Sequence, residues 1–283
     1  VGLVQLMVAG VSNAVISSSL TFVAFAVIGR LFGIATSLQL LELARPTHPL
    51  FRRLLIDAPG SYHHSILVSN LAERGAEVIG ADALLARVGS YYHDIGKTAR
   101  PFFFTENRVG SVNPHERLDP YTSAQIIISH VTDGLDLAKK HRLPSAITAF
   151  IPEHHGTGMT LAFYRMAVQE AGDDGESVRE EDFHYPGPKP QSRETAITML
   201  ADTCEARVRS AEPDSIDQID EIIADTIRAK REDGQLDECD LTLRDLKEIQ
   251  AAFLRVLKGV FHPRVKYPEP VKVIAPDGRE VEV

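Results

Sequence analysis

Two regimes of hydrophobic patterning divide the chain. Val1 to Gly29 carries no charge and is built from Val, Ala, Leu, Ile and Phe around a serine cluster, AVISSSLTFVAFAVIG. A helix of about 20 such residues crosses a hydrocarbon layer, so one span is predicted, best placed at Val11–Gly29. The preceding VGLVQLMVAG is apolar but too short to cross again. With Val rather than Met at position 1, the simplest expectation is a fragment beginning near the end of an earlier span. A signal peptide fits poorly, because neither a basic leading segment nor a small-residue cleavage site is present. A buried helix of a soluble protein is the plainer alternative. The stretch FGIATSLQLLELARPTHPLFRRLL then places apolar residues at helical spacing, interrupted at Pro46 and Pro49. It reads as a juxtamembrane helix, a short break and the start of a soluble domain.

From Leu54 onward, apolar positions recur at three and four rather than alternating. HSILVSNLAERGAEVIG, DALLARVGSYYHDIG, TSAQIIISHVTDGLDLAKKH, PSAITAFIPEHH and SRETAITMLADTCEARVRS each read as a helix. Asp82, Ser145 and Ser192 are N-cap types, and Gly80 suits a helix end. No strand pair with a tight turn stands out, and there are no internal repeats. Three long connections are expected: Arg100–Pro120, Ala171–Gln191 (acidic and mobile in its first half, then Pro-rich) and the tail from His262. The fold class is therefore all-α, with residues 1–41 as membrane and juxtamembrane helix, 42–265 as the soluble domain and 266–283 as a tail.

Charge sharpens this division. Of the 69 Lys, Arg, Asp and Glu residues, only Arg30 falls within residues 1–41. Arg30, Arg45, Arg52 and Arg53 all follow the span and nothing basic precedes it, so the C-terminal side is expected in the cytoplasm, with the chain in the cell membrane. The net charge of −9 argues against binding a long nucleic acid, which needs a basic face, but leaves room for a small phosphorylated ligand held by metal ions. Cys204 and Cys239 match no paired metal or redox spacing and read as reduced thiols.

The candidate chemistry lies in the histidines. His63-His64, His93-Asp94 and His154-His155 are adjacent pairs, with His130 alone between the last two. A structural histidine usually stands alone, so three doublets in one helical domain point to a metal centre. Imidazole with carboxylate and no thiolate suits Fe, Mn or a catalytic zinc rather than a structural zinc. Five or six imidazoles exceed the needs of one ion, so two ions are expected, bridged by Asp94 with its two oxygens. Asp202, in MLADTCEA, is a further carboxylate. Lys97 follows the pair and is expected to hold a nonbridging phosphate oxygen. Glu153 is a weaker candidate beside the His pair. The run PFFFTEN with Tyr121 reads either as a wall for a base or as core packing.

YYHDIGK at 91–97 resembles the signature of the HD phosphohydrolase superfamily, all-helical metalloenzymes. The wider text resembles the seven-transmembrane receptor HD family, membrane-anchored bacterial phosphodiesterases of the PgpH type. The segments that carry this are LLELARPTHPLFRRLLIDAPGSYHHSILVSNLAE, ARVGSYYHDIGKTARPFFFTEN, NPHERL, ISHVTDGLDLAKKHRLP, EHHGT and FHYPGPKPQS. The resemblance spans about residues 30 to 265 and implies an HD-domain helical bundle with a dinuclear metal centre, preceded by the last of seven spans. It also implies hydrolysis of cyclic di-AMP to linear pApA. Position by position, it implies one metal site at His64, His93, Asp94 and Asp202, and a second at Asp94, His130, His154 and His155. His63 is left ambiguous, while His48, His115, His141, His184 and His262 fall outside the set and are expected at the surface. Cys204, beside the ligand helix, reads as a small buried residue.

The expected mechanism is one-step hydrolysis: a water bridging two divalent ions, Fe or Mn, attacks phosphorus in line, with Asp94 and Lys97 as the catalytic side chains. Competing readings are hydrolysis of cyclic di-GMP or ppGpp, and a membrane sensor that binds nucleotide without turnover. EHHGTGMTLAFYR lacks the GYP segment expected of cyclic di-GMP enzymes with related sites. The sequence permits a homodimer without requiring one.

Overall fold

The computed structural model describes residues 2–31, 35–108, 110, 113–172, 178–260, 272–274 and 280–282. The apolar opening, uncharged as far as Gly29, folds with Arg30 and Leu31 as one continuous helix, α1 (Gly2–Leu31). Its stretch Gly2–Phe25, with mean hydropathy 1.6 in its most apolar window, is long and apolar enough to cross a membrane. At 1.5 Å per residue those 24 residues extend about 36 Å. The span thus starts before the expected Val11, because nothing between Gly2 and Val11 interrupts the helix. None of that window is buried against the rest of the chain.

After α1 come α2 (Ser37–Leu43) and α3 (Pro49–Asp57). Thr36 and Gln39 form a reciprocal capping box at the start of α2. Pro49 occupies the first turn of α3, where its missing N–H costs nothing, so it begins a helix rather than interrupting one. The domain continues with α4 (Pro59–Ile79), α5 (Ala83–Tyr92), α6 (Pro120–Lys140), α7 (Ser145–Thr148), α8 (Phe150–Glu153), α9 (Leu161–Ala171), α10 (Arg193–Ala211), α11 (Ile216–Glu232) and α12 (Leu243–Val260). Gly80 ends α4 in the left-handed conformation at φ 67°, while Asp82 and Ser192 accept from the backbone N–H of Leu85 and Thr195.

Several expectations are corrected. Ser145 is the first helical residue of α7, and Pro144 stands at the N-cap position. PSAITAFIPEHH is two short helices instead of one, since Pro152 has no N–H to carry the hydrogen-bond ladder across the junction. The connection after α5 is ordered into 3₁₀ turns at Ile95–Ala99, Pro101–Phe103, Thr105–Asn107 and Pro114–Arg117. The tail contains a small antiparallel pair, β1 (Lys272–Ile274) with β2 (Glu280–Glu282). Most of the acidic run expected to be mobile, residues 173–177, lies outside the described residues, as does His262.

Two apolar cores flank the chemistry. One joins α4, α10, α11 and α12 through Leu71, Ile197, Ile223 and Phe253. Its periodicity is plainest in α12, where Leu246, Ile249, Phe253 and Leu257 line one face. The other joins α2, α3, α5 and α6 through Leu43, Phe51, Tyr92 and Val131. Packing of the helical domain therefore reaches back to Leu40 and Leu43, across the boundary expected at 41/42. Gly96 brings the turn after α5 against α6: a Cβ there would lie 1.8 Å from the His130 carbonyl oxygen. That contact carries Asp94 to the side of His130.

Candidate metal centre

Seven side chains from five helices converge between the two cores. His64 comes from α4, His93 and Asp94 from the end of α5, His130 from α6, His154 and His155 from the end of α8, and Asp202 from α10. They form two groups sharing Asp94: His64, His93, Asp94 and Asp202, and Asp94, His130, His154 and His155. Within each group the donor atoms lie within 4.8 Å of one another. Asp94 departs from the α-helix at φ −104°, ψ 13°, and its two oxygens face opposite ways. Oδ2 lies 3.6 Å from His64 Nε2 and 3.3 Å from His93 Nε2. Oδ1 lies 3.5 Å from His130 Nε2 and 3.6 Å from His154 Nε2.

The imidazoles are aimed by their other nitrogen. His93 Nδ1 donates to the Ser90 carbonyl at 2.7 Å, His130 Nδ1 to Ile127 at 2.6 Å and His154 Nδ1 to Phe150 at 3.0 Å. A carbonyl only accepts, so each contact fixes the tautomer and leaves Nε2 for the interior. His64 Nδ1 meets Glu205 Oε2 at 2.6 Å, while its Nε2 lies 2.9 Å from Asp202 Oδ1. His155 stacks on Tyr185, with ring centroids 4.0 Å apart and planes at 19°.

The electrostatics differ between the two ends. Burial disfavours charge on His64, but hydrogen bonds to Asp202 and Glu205 overcome it and hold its pKa at about 9. Burial likewise opposes charging of His93, and Asp94 with Asp202 raises its pKa to about 10. Burial alone would raise Asp94, yet the Lys97 ammonium and His93 hold its carboxyl well below the usual range. At the other end burial lowers the pKa of His130, of His154 to about 3 and of His155 well below its ordinary value. One end demands positive charge, and the other presents neutral imidazoles.

Buried polar atoms normally have partners. Here Nε2 of His93, His130 and His154 and Oδ1 of Asp94 are buried with no hydrogen-bond partner among the described residues. Asp94 Oδ2 sits 2.7 Å from Lys97 Nζ as an ion-pair contact without hydrogen-bond geometry. Converging lone pairs, nitrogen and oxygen donors and no thiolate fit divalent metal.

A family model described as HD domain matches residues 61–207, just over half of the chain. The chain belongs to the HD domain family. It is 46% identical over 243 residues to the cyclic-di-AMP phosphodiesterase PgpH of Bacillus subtilis, covering 86% of this chain and 34% of that protein. It is 45% identical over 239 residues to PgpH of Listeria monocytogenes, covering 84% of this chain and 33% of that one. The chain thus spans about a third of the length of these relatives. A crystal structure of the L. monocytogenes PgpH HD domain in complex with cyclic-di-AMP is 45% identical, with a TM-score of 0.73, covering 77% of this chain and all of that one. The same domain without that description of a complex gives 44% identity and a TM-score of 0.71, covering 76% of this chain and all of that one.

Around this HD domain centre, the remaining candidates are distributed differently from expectation. Lys97 is half-buried and engaged by Glu106 Oε1 at 2.8 Å as well as by Asp94. Glu153 accepts from Thr195 Oγ1 at 2.6 Å and the Gln191 N–H at 2.9 Å, tying down the entry to α10. Cys204 packs in the first apolar core and belongs to neither donor group. His63 and His141 are exposed, but His115, expected at the surface, is buried, with Nε2 3.0 Å from the Phe103 carbonyl oxygen. His48 Nδ1 lies 3.0 Å from Tyr92 Oη, and half-buried His184 contacts the Thr157 carbonyl at 2.7 Å. Beside the centre lies a cavity of about 450 Å³ whose wall includes Phe103, Phe104, His155, Tyr185, Asp202 and Lys230. Tyr121 instead packs on Phe183 at 4.9 Å, and Phe102 is 49% exposed.

Four residues that contact the centre or line its cavity were not singled out by the sequence: Glu205, Glu106, Tyr185 and Lys230. For Glu205 a signal existed, a carboxylate three residues after Asp202 and hence on the same side of a helix. Glu106 lies nine residues after its partner Lys97, within PFFFTEN, but Tyr185 and Lys230 are brought to the site only by tertiary packing.

Proposed function

We propose that this chain is a divalent-metal phosphodiesterase that hydrolyses cyclic di-AMP to linear pApA. The observation that carries the reading is Asp94 with its oxygens turned to two separate donor groups. The names of the PgpH relatives and of the cyclic-di-AMP complex support the substrate. His64, His93, Asp94 and Asp202 would hold one ion, and Asp94, His130, His154 and His155 the other. Fe or Mn suits this thiolate-free set. Bound there, the ions would supply Lewis-acid charge that makes water a stronger acid and offsets charge on the phosphoryl oxygens.

The chain's own residues bind and orient. Ser90, Ile127 and Phe150 carbonyls and Glu205 lock the rings. Lys97, pinned between Asp94 and Glu106, keeps the Asp94 carboxylate ionised and fixed in direction, which makes it a positioning residue acting through Asp94. Phe103, Phe104 and Tyr185 exclude water from one side of the cavity. In the whole protein, α1 would anchor residues 1–41 in the membrane and the HD domain, to about residue 265, would face the cytoplasm, as the arginines after the span favour.

The test is product analysis of the purified, Mn- or Fe-loaded chain given cyclic di-AMP, cyclic di-GMP or ppGpp. Conversion of cyclic di-AMP to pApA is expected, with Asp94→Asn slower by about a thousandfold and unchanged helical circular dichroism. Turnover of only cyclic di-GMP or ppGpp, or binding without turnover, contradicts the reading.

A further inference from the structure

The sequence singles out Lys97 for the phosphate, yet Lys97 does not line the cavity and is committed to two carboxylates. Lys230 does line it, and it is the one Lys or Arg among the described lining residues. It sits in the last turn of α11, a helix that packs on α10 but carries none of the metal-centre residues. Its ammonium reaches over the turn that follows the histidine pair: a Cβ on Gly158 would lie 3.8 Å from Lys230 Nζ and 3.0 Å from the His155 carbonyl oxygen. Asp202 and Thr203 of α10 border the same cavity. Among the described residues no carboxylate forms an ion pair with Nζ; Asp202 and Asp233 act on it only at longer range.

Lys230 is half-buried, and a cation partly withdrawn from water without a partner carries a cost that an anion entering beside it relieves. Burial accordingly lowers the Lys230 pKa, and Asp202 and Asp233 only partly restore it. Phe103, Phe104, Met159 and Tyr185 offer surface to a base or sugar, and among the described lining side chains Lys230 is the one fixed cation, on the wall formed by α11.

We infer that Lys230 is a substrate-binding residue whose ammonium holds a phosphate oxygen of the phosphodiester in this cavity. The inference rests on the phosphodiesterase reading and adds to it a contact outside the metal-centre motif.

The metal-loaded full chain is compared as wild type, Lys230→Met and Lys230→Arg, on cyclic di-AMP and on bis(p-nitrophenyl) phosphate, a small diester. Lys230→Met is expected to raise KM roughly tenfold or more for the diester that is turned over, as loss of a charge-assisted contact does. Its kcat should stay within about threefold, with metal content and unfolding midpoint at wild-type values, and Lys230→Arg should restore most of the loss. An unchanged KM overturns the inference, as does a loss that follows lost metal or lost stability and is not rescued by arginine. If the small diester is hydrolysed and cyclic di-AMP is not, the substrate assignment fails while the KM comparison still decides Lys230. If neither is hydrolysed, equilibrium dialysis with cyclic di-AMP decides: a Kd weakened roughly tenfold by Lys230→Met supports the contact, and equal or absent binding overturns it.

Discussion

A single carboxylate can serve two sites only when its oxygens diverge toward separate donor sets, and Asp94 meets that condition by leaving the α-helix one residue after His93. The side chains behind the donors matter nearly as much. Glu205 grips His64 Nδ1 and is itself held by Arg209 Nε at 3.0 Å. Glu205→Ala should weaken metal affinity by about 10- to 100-fold, read by competition with a chromogenic chelator, because the ring loses its orienting acceptor. Unchanged affinity would show that His64 is held by packing alone. At Cys204, burial pushes the thiol up to about 12. Its thiolate is scarce near neutral pH, so a maleimide should label the folded chain at Cys239 alone and react at Cys204 only after denaturation. Labelling of both thiols in the folded chain would place Cys204 outside the core.

Among the elements, helices with strong periodicity and side-chain caps were legible in advance. Gly80, Asp82 and Ser192 mark their ends chemically, and the structure uses each as such. The failures have two causes. At Pro152 the missing N–H is a local signal that the helical spacing of PSAITAFIPEHH masks; in the turns after Tyr92 tertiary packing decides the geometry and the local sequence carries no matching signal. Gly96 belongs with these: as a residue it looks like any turn glycine, whereas in the fold it is the contact between the turn and α6. Gly96→Ala should destabilise by about 1–3 kcal/mol or more, since the new methyl would overlap the His130 carbonyl. Urea unfolding reads this directly. An unchanged midpoint would mean that the two backbones are not held in contact.

For the whole molecule, the pairs His63-His64, His93-Asp94 and His154-His155 drew attention in the sequence, whereas the single His130 and Asp202 carried a weaker signal and the partition into two groups was implied by resemblance. The His130 and His154 groups lie in elements that the chain order separates widely from His64 and Asp202, and the two apolar cores bring them together. The long apolar helix at the N-terminal end was legible from composition, since an uncharged stretch to Gly29 makes up nearly all of α1. The central claim is that the HD domain holds two ions, one on each side of Asp94. Anomalous diffraction from crystals of the Mn- or Fe-loaded chain measures this most directly. Two peaks are expected, one among His64, His93, Asp94 and Asp202 and one among Asp94, His130, His154 and His155; a single peak, or peaks away from Asp94, would contradict the account.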